Sequence, residues 1–228
     1  MKVVALVPIK LNNVRLPNKN ILDLAGKPLC SYMTSNLLNV KGIDECYVYC
    51  SDESIMDYMP EGMKFLKRDK YLDGNLVKGQ EIYERFIKEV DADVYVLAHA
   101  TAPLIKKESI QNALDKVLNE GYDSALSVKK VQTFVWYKGK TLNYDLNDIP
   151  RTQDIDPIYY ETSAFFIFKK EVFTQMGKRR IGEKPYFQEV DDMEAVDIDY
   201  LEDFRLAEAI VNMQKNNNME ELKIWKKK

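Results

Sequence analysis

The chain has 228 residues, 46% hydrophobic and 11% aromatic, enough apolar material for one large globular domain, which excludes a disordered chain. Its formal net charge of -3 argues against a protein that coats nucleic acid. No stretch approaches the ~18 consecutive apolar residues that a membrane span needs, and Lys10 and Asn12 interrupt the first apolar run too early for a secretory leader. The expected setting is therefore cytoplasmic, with neither nucleic acid nor a membrane as partner. The closing Lys226, Lys227 and Lys228 read as a solvated tail.

The predicted elements alternate. Strands are expected at "VVALVP", "ECYVYC", "MKFL", "DVYVLAHA", "SALSVKKV", "SAFFIF" and "AVDI". Leu29, Tyr32, Met33, Asn36 and Leu37 keep helical spacing behind Pro28, a good first helical residue. Ile82, Phe86 and Val90 mark a second helix. Ile110, Ala113, Leu114, Val117 and Leu118 mark a third, which Gly121 ends. Leu206, Ala207, Ile210 and Val211 mark a fourth. Strand–helix alternation with continuous apolar strands predicts an α/β fold, a mostly parallel sheet covered on both faces. The stretch from Gln132 to Tyr160 breaks the rhythm with turn formers and aromatics, and is expected to leave the sheet as a lid or as an arm that meets another subunit. No domain boundary is visible, so residues 1–228 are expected to form one domain.

The cysteines argue for a reducing compartment. Cys30, Cys46 and Cys50 are an odd count. Cys46 and Cys50 share a predicted strand, which places their Cα atoms roughly 13 Å apart, too far for a disulfide. A single histidine and the lack of a Cys-x-x-Cys pair argue against zinc, and no Gly-x-Ser-x-Gly elbow is present for a serine triad.

In such sheets ligands bind at the carboxyl ends of the strands, so the strand tips carry the candidates. After the first strand, "IKLNNVRLPNKN" places Lys10, Arg15 and Lys19 in a polar loop without an acid. That suits a polyanion such as a triphosphate, or is a solvated loop. It is neither a Walker A loop nor a dinucleotide fingerprint. Asp52 at the second tip either accepts from a ribose hydroxyl or, as favoured, caps the next helix. Arg68 binds phosphate or base, or forms an exposed ion pair. His99, in "HATAPL", reads first as a hydrogen-bonding structural residue. In "VDIDYLEDF", alternation along a strand projects Asp197 and Asp199 to one face. Two adjacent carboxylates suit a divalent cation, and Mg²⁺ prefers carboxylate, water and phosphate oxygens. The alternative is one helix cap and one surface acid.

These pieces in this order resemble the CMP-sugar-acid synthetases, the family of acylneuraminate and Kdo cytidylyltransferases. The resemblance rests on Pro8-Ile9-Lys10, Pro17-Asn18-Lys19-Asn20, Gly26-Lys27-Pro28-Leu29, Ser51-Asp52, Arg68, "HATAPL", Arg151-Thr152-Gln153-Asp154, and Asp197, Asp199, Asp203, Ala207 and Glu208. It covers nearly the whole chain. Departures are Lys10 and His99, where the family has arginine and glutamine, "NNV" in the first loop, and "ETSAFFIF" in place of an Asn-Gly before the late strand.

The resemblance implies a Rossmann-like nucleotide-diphospho-sugar transferase fold and transfer of CMP from CTP to an acidic sugar, such as a nonulosonate or Kdo, with release of pyrophosphate. It implies catalytic roles for Lys10, Lys19, Asp197 and Asp199, with Mg²⁺ on the two aspartates. Nucleotide contacts would fall to Pro8, Lys10, Asn12, Arg15, Lys19, Asn20, Arg68, His99 and Thr101. Sugar contacts would fall to Arg151, Gln153, Glu161 and Thr162. The protein would be a homodimer whose excursion near residues 130–160 reaches the partner's active site. The alternatives are a transferase of the same fold with another acceptor or nucleotide, and a non-catalytic nucleotide-binding homologue.

Overall fold

A computed structural model describes residues 1–215; the tail lysines Lys226, Lys227 and Lys228 lie outside the described residues. In chain order the elements are β1 (Val3–Pro8), a hairpin of β2 (Asp23–Leu24) and β3 (Lys27–Pro28), α1 (Leu29–Leu38), β4 (Glu45–Cys50), β5 (Lys64–Lys67), α2 (Gly79–Glu89), β6 (Val94–Ala98), α3 (Lys107–Asn119), β7 (Ser124–Val131), a hairpin of β8 (Trp136–Tyr137) and β9 (Lys140–Thr141), β10 (Ile158–Lys169), α4 (Lys170–Gln175), β11 (Pro185–Glu189) and α5 (Leu201–Lys215).

Seven strands form one sheet in the order β11-β7-β10-β6-β1-β4-β5. All neighbours pair parallel except those of β10, which runs against β6 and β7. The sheet is thus mostly parallel, as the strand–helix alternation predicts. Alternation within β1 assigns the faces. Val3, Ala5 and Val7 pack with Met33 and Leu37 of α1 and Ile110, Leu114 and Val117 of α3. Val4 and Leu6 pack on the other face with Phe86 and Ile87 of α2 and Val172 and Phe173 of α4. A third cluster joins α5 (Phe204, Ala207, Val211) to Leu24, Leu29, Leu104 and Ile198 beside the sheet.

Two expectations change. "AVDI" is not a strand of the sheet: Ile198 donates one backbone bond to the Thr101 carbonyl (2.8 Å), and no ladder forms. The chain is still extended enough that Ile198 is buried while its flanking aspartates reach the surface, so one buried apolar residue does what a ladder was expected to do. Pro28 stands just before α1 as its cap rather than inside it. Gly121 does follow α3, at φ +73°, a left-handed position that favours glycine. The β7–β10 register shifts between Glu161 and Phe166. Ser163 inside that irregularity sits at φ +59°, where glycine would be relaxed and serine is strained.

Phe86 is the hub of the α2 face. It is fully buried and meets Tyr47, Tyr49 and Tyr95 edge-on, with ring centroids 5.7, 5.5 and 6.5 Å away. Truncation there leaves a cavity that three rings cannot all close. We predict that Phe86→Ala lowers unfolding stability by about 3–5 kcal/mol, and Phe86→Leu by clearly less, measured by urea denaturation. Equal, small losses for both would contradict this packing.

Candidate active site

At the carboxyl ends of β1, β4, β5 and β6 lies a cleft of about 560 Å³, lined among others by Pro8, Lys10, Arg15, Lys19, Arg68, His99 and Asp199. That volume is in the range of small-molecule sites. The cations of the first loop are each held in place. Lys10 Nζ donates to Asn75 Oδ1 (3.1 Å) and the Asp73 carbonyl (3.4 Å), both neutral oxygens. Arg15 bonds Asp199 Oδ2 at 2.5 Å and lies 5.4 Å over the Tyr200 ring. Lys19 is buried; its ammonium donates to the Ile198 carbonyl and lies 3.4 Å from Asp199 Oδ1.

Arg68 forms a buried ion pair with Asp73, not an exposed one. Its guanidinium also donates to the Ile9 carbonyl (2.9 Å) and lies 5.8 Å from the Tyr49 ring centre. Asp73 accepts in addition from Ser51 Oγ at 2.5 Å. Among the described residues Arg68 Nε is the buried side-chain nitrogen without a partner. Burying a charge costs far more than one surface pair returns, so this arginine sits at the cleft wall only because Asp73 neutralises it.

His99 faces the cleft from the end of β6. Its Nδ1 lies 2.5 Å from the Ser163 carbonyl. A carbonyl only accepts, so Nδ1 carries the hydrogen, and in the neutral ring Nε2 is then a bare acceptor. Burial pushes the imidazole below its ordinary value of 6.5, against the pull of the Ser163 carbonyl, and the charge of Arg180 pushes it further down. The structural role and the cleft-facing role therefore coexist in one residue. Asp52 caps the short 3₁₀ turn after β4, accepting from the Ser54 amide at 3.0 Å, as favoured.

The carboxylates of the Asp-x-Asp segment differ. Solvent reaches one edge of Asp197, while the atoms packed round its carboxyl push it above the ordinary carboxylate range; Thr101 and Lys19 oppose this and Asp199 adds to it. Asp199 is bridged to the loop cations. No group of three or more His, Cys, Asp or Glu that would hold a metal alone occurs among the described residues. The two aspartates still fit Mg²⁺, a cation that takes one or two carboxylates and completes its shell with water and phosphate oxygens.

The other expected residues are scattered. Asn12 lines a shallow rim beside Lys70 and Tyr71. Asn20 turns inward and braces the loop through the Lys10 carbonyl (2.9 Å). Thr101 lies by Asp197 rather than in the cleft lining. Arg151 is exposed and makes two bonds to Asp154 (2.6 and 3.0 Å), and the Gln153 carbonyl accepts from Gln132. Thr162 is buried, with its hydroxyl on Ser127 Oγ at 2.8 Å, so it meets the strand interior and no solvent. Glu161 pairs with Arg180. Sequence reasoning missed Asp73, Asn75, Tyr83 and Arg180. The turn signal "DGN" at Asp73–Asn75 marks the first two; nothing local marks the others.

A cation-lined cleft at the carboxyl ends of a mostly parallel sheet, with Asp199 in its lining, defines an α/β protein of the nucleotidyltransferase fold. The chain belongs to the cytidylyltransferase family, whose model matches residues 4–228. It is 24% identical over 215 residues to an N-acylneuraminate cytidylyltransferase of Streptococcus agalactiae, an alignment covering 90% of this chain and 52% of that protein. It is 26% identical over 180 residues to a pseudaminic acid cytidylyltransferase of Campylobacter jejuni, covering 73% and 78%. The chain thus spans about half the length of the streptococcal relative. A solved structure of CMP:2-keto-3-deoxy-manno-octonic acid synthetase complexed with CTP superposes with a TM-score of 0.69 at 15% identity, covering 94% of this chain and 100% of that one. A 4-diphosphocytidyl-2C-methyl-D-erythritol synthase from Anaerococcus prevotii gives 0.68 at 11%, covering 92% and 96%. These likenesses show the fold.

Two measurements test the electrostatics of the site. Asp73→Ala strands a buried guanidinium and is expected to cost about 3 kcal/mol or more in a denaturant titration, with Asp73→Asn losing less; no loss in either would mean Arg68 is solvated. His99 is the chain's one histidine, so its ring Hε1 gives a single resolved histidine NMR signal to titrate. Its midpoint is expected below 6.5. A folded-state value that low means that the unfolded chain binds the proton more readily. Wild-type stability should therefore fall as pH drops through about 6.5, and His99→Gln should flatten that slope. A midpoint at or above 6.5 would contradict the assignment.

Proposed function

We propose that this protein transfers CMP from CTP to the anomeric hydroxyl of an acidic sugar and releases pyrophosphate. The observation that carries this reading is the convergence of Lys10, Arg15, Lys19 and Arg68 on one cleft in a chain of net negative charge. The family membership and the names of the relatives support cytidine and an acidic acceptor.

In the reaction a bond forms from the anomeric oxygen to the α-phosphorus. The bond from that phosphorus to the oxygen bridging it to the β-phosphate breaks, pyrophosphate leaves with that oxygen, and the hydroxyl proton passes to water. The chemistry needs in-line placement and neutralisation of negative charge on the phosphates. Lys10, resting on neutral oxygens, is free to turn its charge to a phosphate. Arg15 and Lys19 are balanced by Asp199 and would exchange that carboxylate for phosphate oxygens. Asp197 and Asp199 would hold Mg²⁺, which supplies charge neutralisation and lowers the pKa of a bound hydroxyl. The neutral His99 leaves a bare ring nitrogen toward the cleft, an acceptor suited to an amino or hydroxyl donor.

The expected excursion ends earlier than Tyr160, because Ile158–Tyr160 already pair with β7 as the start of β10; the remaining segment, 132 to 157, supports an arm. Trp136, Tyr137, Leu142, Leu146 and Ile149 are all exposed on it. Apolar surface of that kind marks an interaction site, and we assign it to a second copy of the chain, whose Arg151 and Gln153 would then reach the neighbouring cleft. We read residues 1–228 as one catalytic domain with this excursion. Among the described residues no helix is long and apolar enough to cross a membrane. The three buried free thiols suit a reducing, cytoplasmic setting.

The test is pyrophosphate release from CTP and Mg²⁺ with N-acetylneuraminate, legionaminate, pseudaminate and Kdo, with the other nucleoside triphosphates as controls. Release with CTP and at least one acid is expected, and Asp199→Ala should lower turnover by about 10²-fold or more while the protein stays folded by circular dichroism at the assay temperature. Turnover only with a neutral acceptor, or full turnover in Asp199→Ala, would overturn the reading.

A further inference from the structure

Arg180 stands on the loop between α4 and β11, outside every motif discussed so far. The loop is tethered at several points. Lys178 Nζ bonds Glu84 Oε2 of α2 at 2.7 Å. The Gly182 amide donates to Ser124 Oγ (2.8 Å), and the Glu183 and Lys184 amides donate to Asp123 Oδ2 (2.7 and 2.9 Å). A Cβ on Gly182 would meet the Asp123 carboxylate at 2.4 Å, so only glycine permits this approach. Arg180 is thus presented from a fixed base.

Its guanidinium lies 3.7 Å over the Phe166 ring. It makes one ion-pair bond, from Nη2 to Glu161 Oε2 at 3.1 Å, with both side chains partly open to solvent. It faces the Tyr83 hydroxyl, and its charge reaches His99. A cavity of about 310 Å³ lined by Lys78, Gln80, Tyr83, Lys178 and Arg180 adjoins the main cleft, and Tyr83 lines both. The cation therefore lines a side cavity that meets the main cleft at Tyr83, and it is not among the residues that line that cleft with Lys10, Arg15 and Lys19.

An ion pair this exposed adds little to stability. A guanidinium has five donors in a fork that fits a carboxylate with two parallel bonds, yet Glu161 takes one. The stack on Phe166 fixes the plane of the fork whichever acid occupies it. Glu161 in turn comes from the irregular stretch of β10, next to the strained Ser163 whose carbonyl holds His99. Backbone strain of this sort collects at functional sites.

We propose that Arg180 binds the carboxylate of the acceptor sugar and that Glu161 is the internal acid it exchanges for that carboxylate. The inference rests on the acidic acceptor of the proposed function. It makes Arg180 the specificity-determining residue for the acid group and explains an acidic side chain beside an anionic substrate: Glu161 occupies the fork until the sugar displaces it, and competes with weak or neutral ligands.

The test compares the wild type with Arg180→Met, Arg180→Lys and Glu161→Gln, using whichever of N-acetylneuraminate, pseudaminate and Kdo the wild type accepts, and the methyl ester of that acid. Arg180→Met is expected to raise KM for the acid at least tenfold, to affect KM more than kcat, and to leave CTP affinity within twofold by calorimetry. Arg180→Lys should recover part of the loss. The wild-type advantage should vanish with the ester, and Glu161→Gln should lower KM for the acid severalfold. Equal KM shifts for acid and ester in Arg180→Met, or none for either, would overturn the assignment while leaving the proposed function intact. A wild type that turns over CTP with neutral acceptors and with no acid would remove both.

Discussion

The buried ammonium of Lys19 is the contact on which the cleft depends. It ties the loop after β1 to the Ile198 carbonyl and to Asp199, joining positions about 180 residues apart in the chain. A lysine that deep in the protein must be paired. The pairing brings Asp199 against Arg15, and Ile198 into the apolar cluster with Leu24, Leu29 and α5. One charge thus fixes where the loop after β1, the aspartate pair and the last helix meet. Arg68 and Asp73 do the same on the opposite wall, where Asp73 also gathers Ser51, and its carbonyl accepts from Lys10.

The fold was legible because its strands are continuous apolar runs and its helices keep period. β7 spans the residues of "SALSVKKV", and β1 and β4 match their runs as well. β11 was missed because "PYFQE" is a half-exposed edge strand whose partner, β7, lies some 60 residues away. α4 is six residues long, too short to show a period. "AVDI" was read as a strand because its alternation is real: Ile198 turns in and the aspartates turn out. The alternation here comes from packing against α5, with one backbone bond and no ladder.

The site was legible where charge is concentrated and obscure where partners are distant. Three cations in a loop without an acid read as an anion site or a solvated loop, and the structure puts Lys10, Arg15 and Lys19 into the lining of one cleft. Asn20 and Thr162 carry the right chemistry for a ligand, but their side chains are spent on the Lys10 carbonyl and on Ser127. Spacing gives residue type and face; it does not give the hydrogen-bond partner that uses up a side chain. Arg180 had no local signal at all, because its importance comes from Phe166, Glu161 and Tyr83, which lie on other elements.

The cations fall into two groups. Lys10, Arg15, Lys19 and Arg68 line the main cleft, Arg180 lines the smaller cavity beside it, and Tyr83 lines both. The neutrality of His99 matters to this division. A protonated ring there would add a third positive centre near both groups. Burial and the charge of Arg180 both oppose that proton, and the Ser163 carbonyl takes the ring hydrogen on the side away from any ligand. The strained turn at Ser163 is what carries that carbonyl to the ring. The irregularity in β10 therefore fixes the tautomer of His99 and places Glu161 against Arg180, while burial keeps the ring neutral.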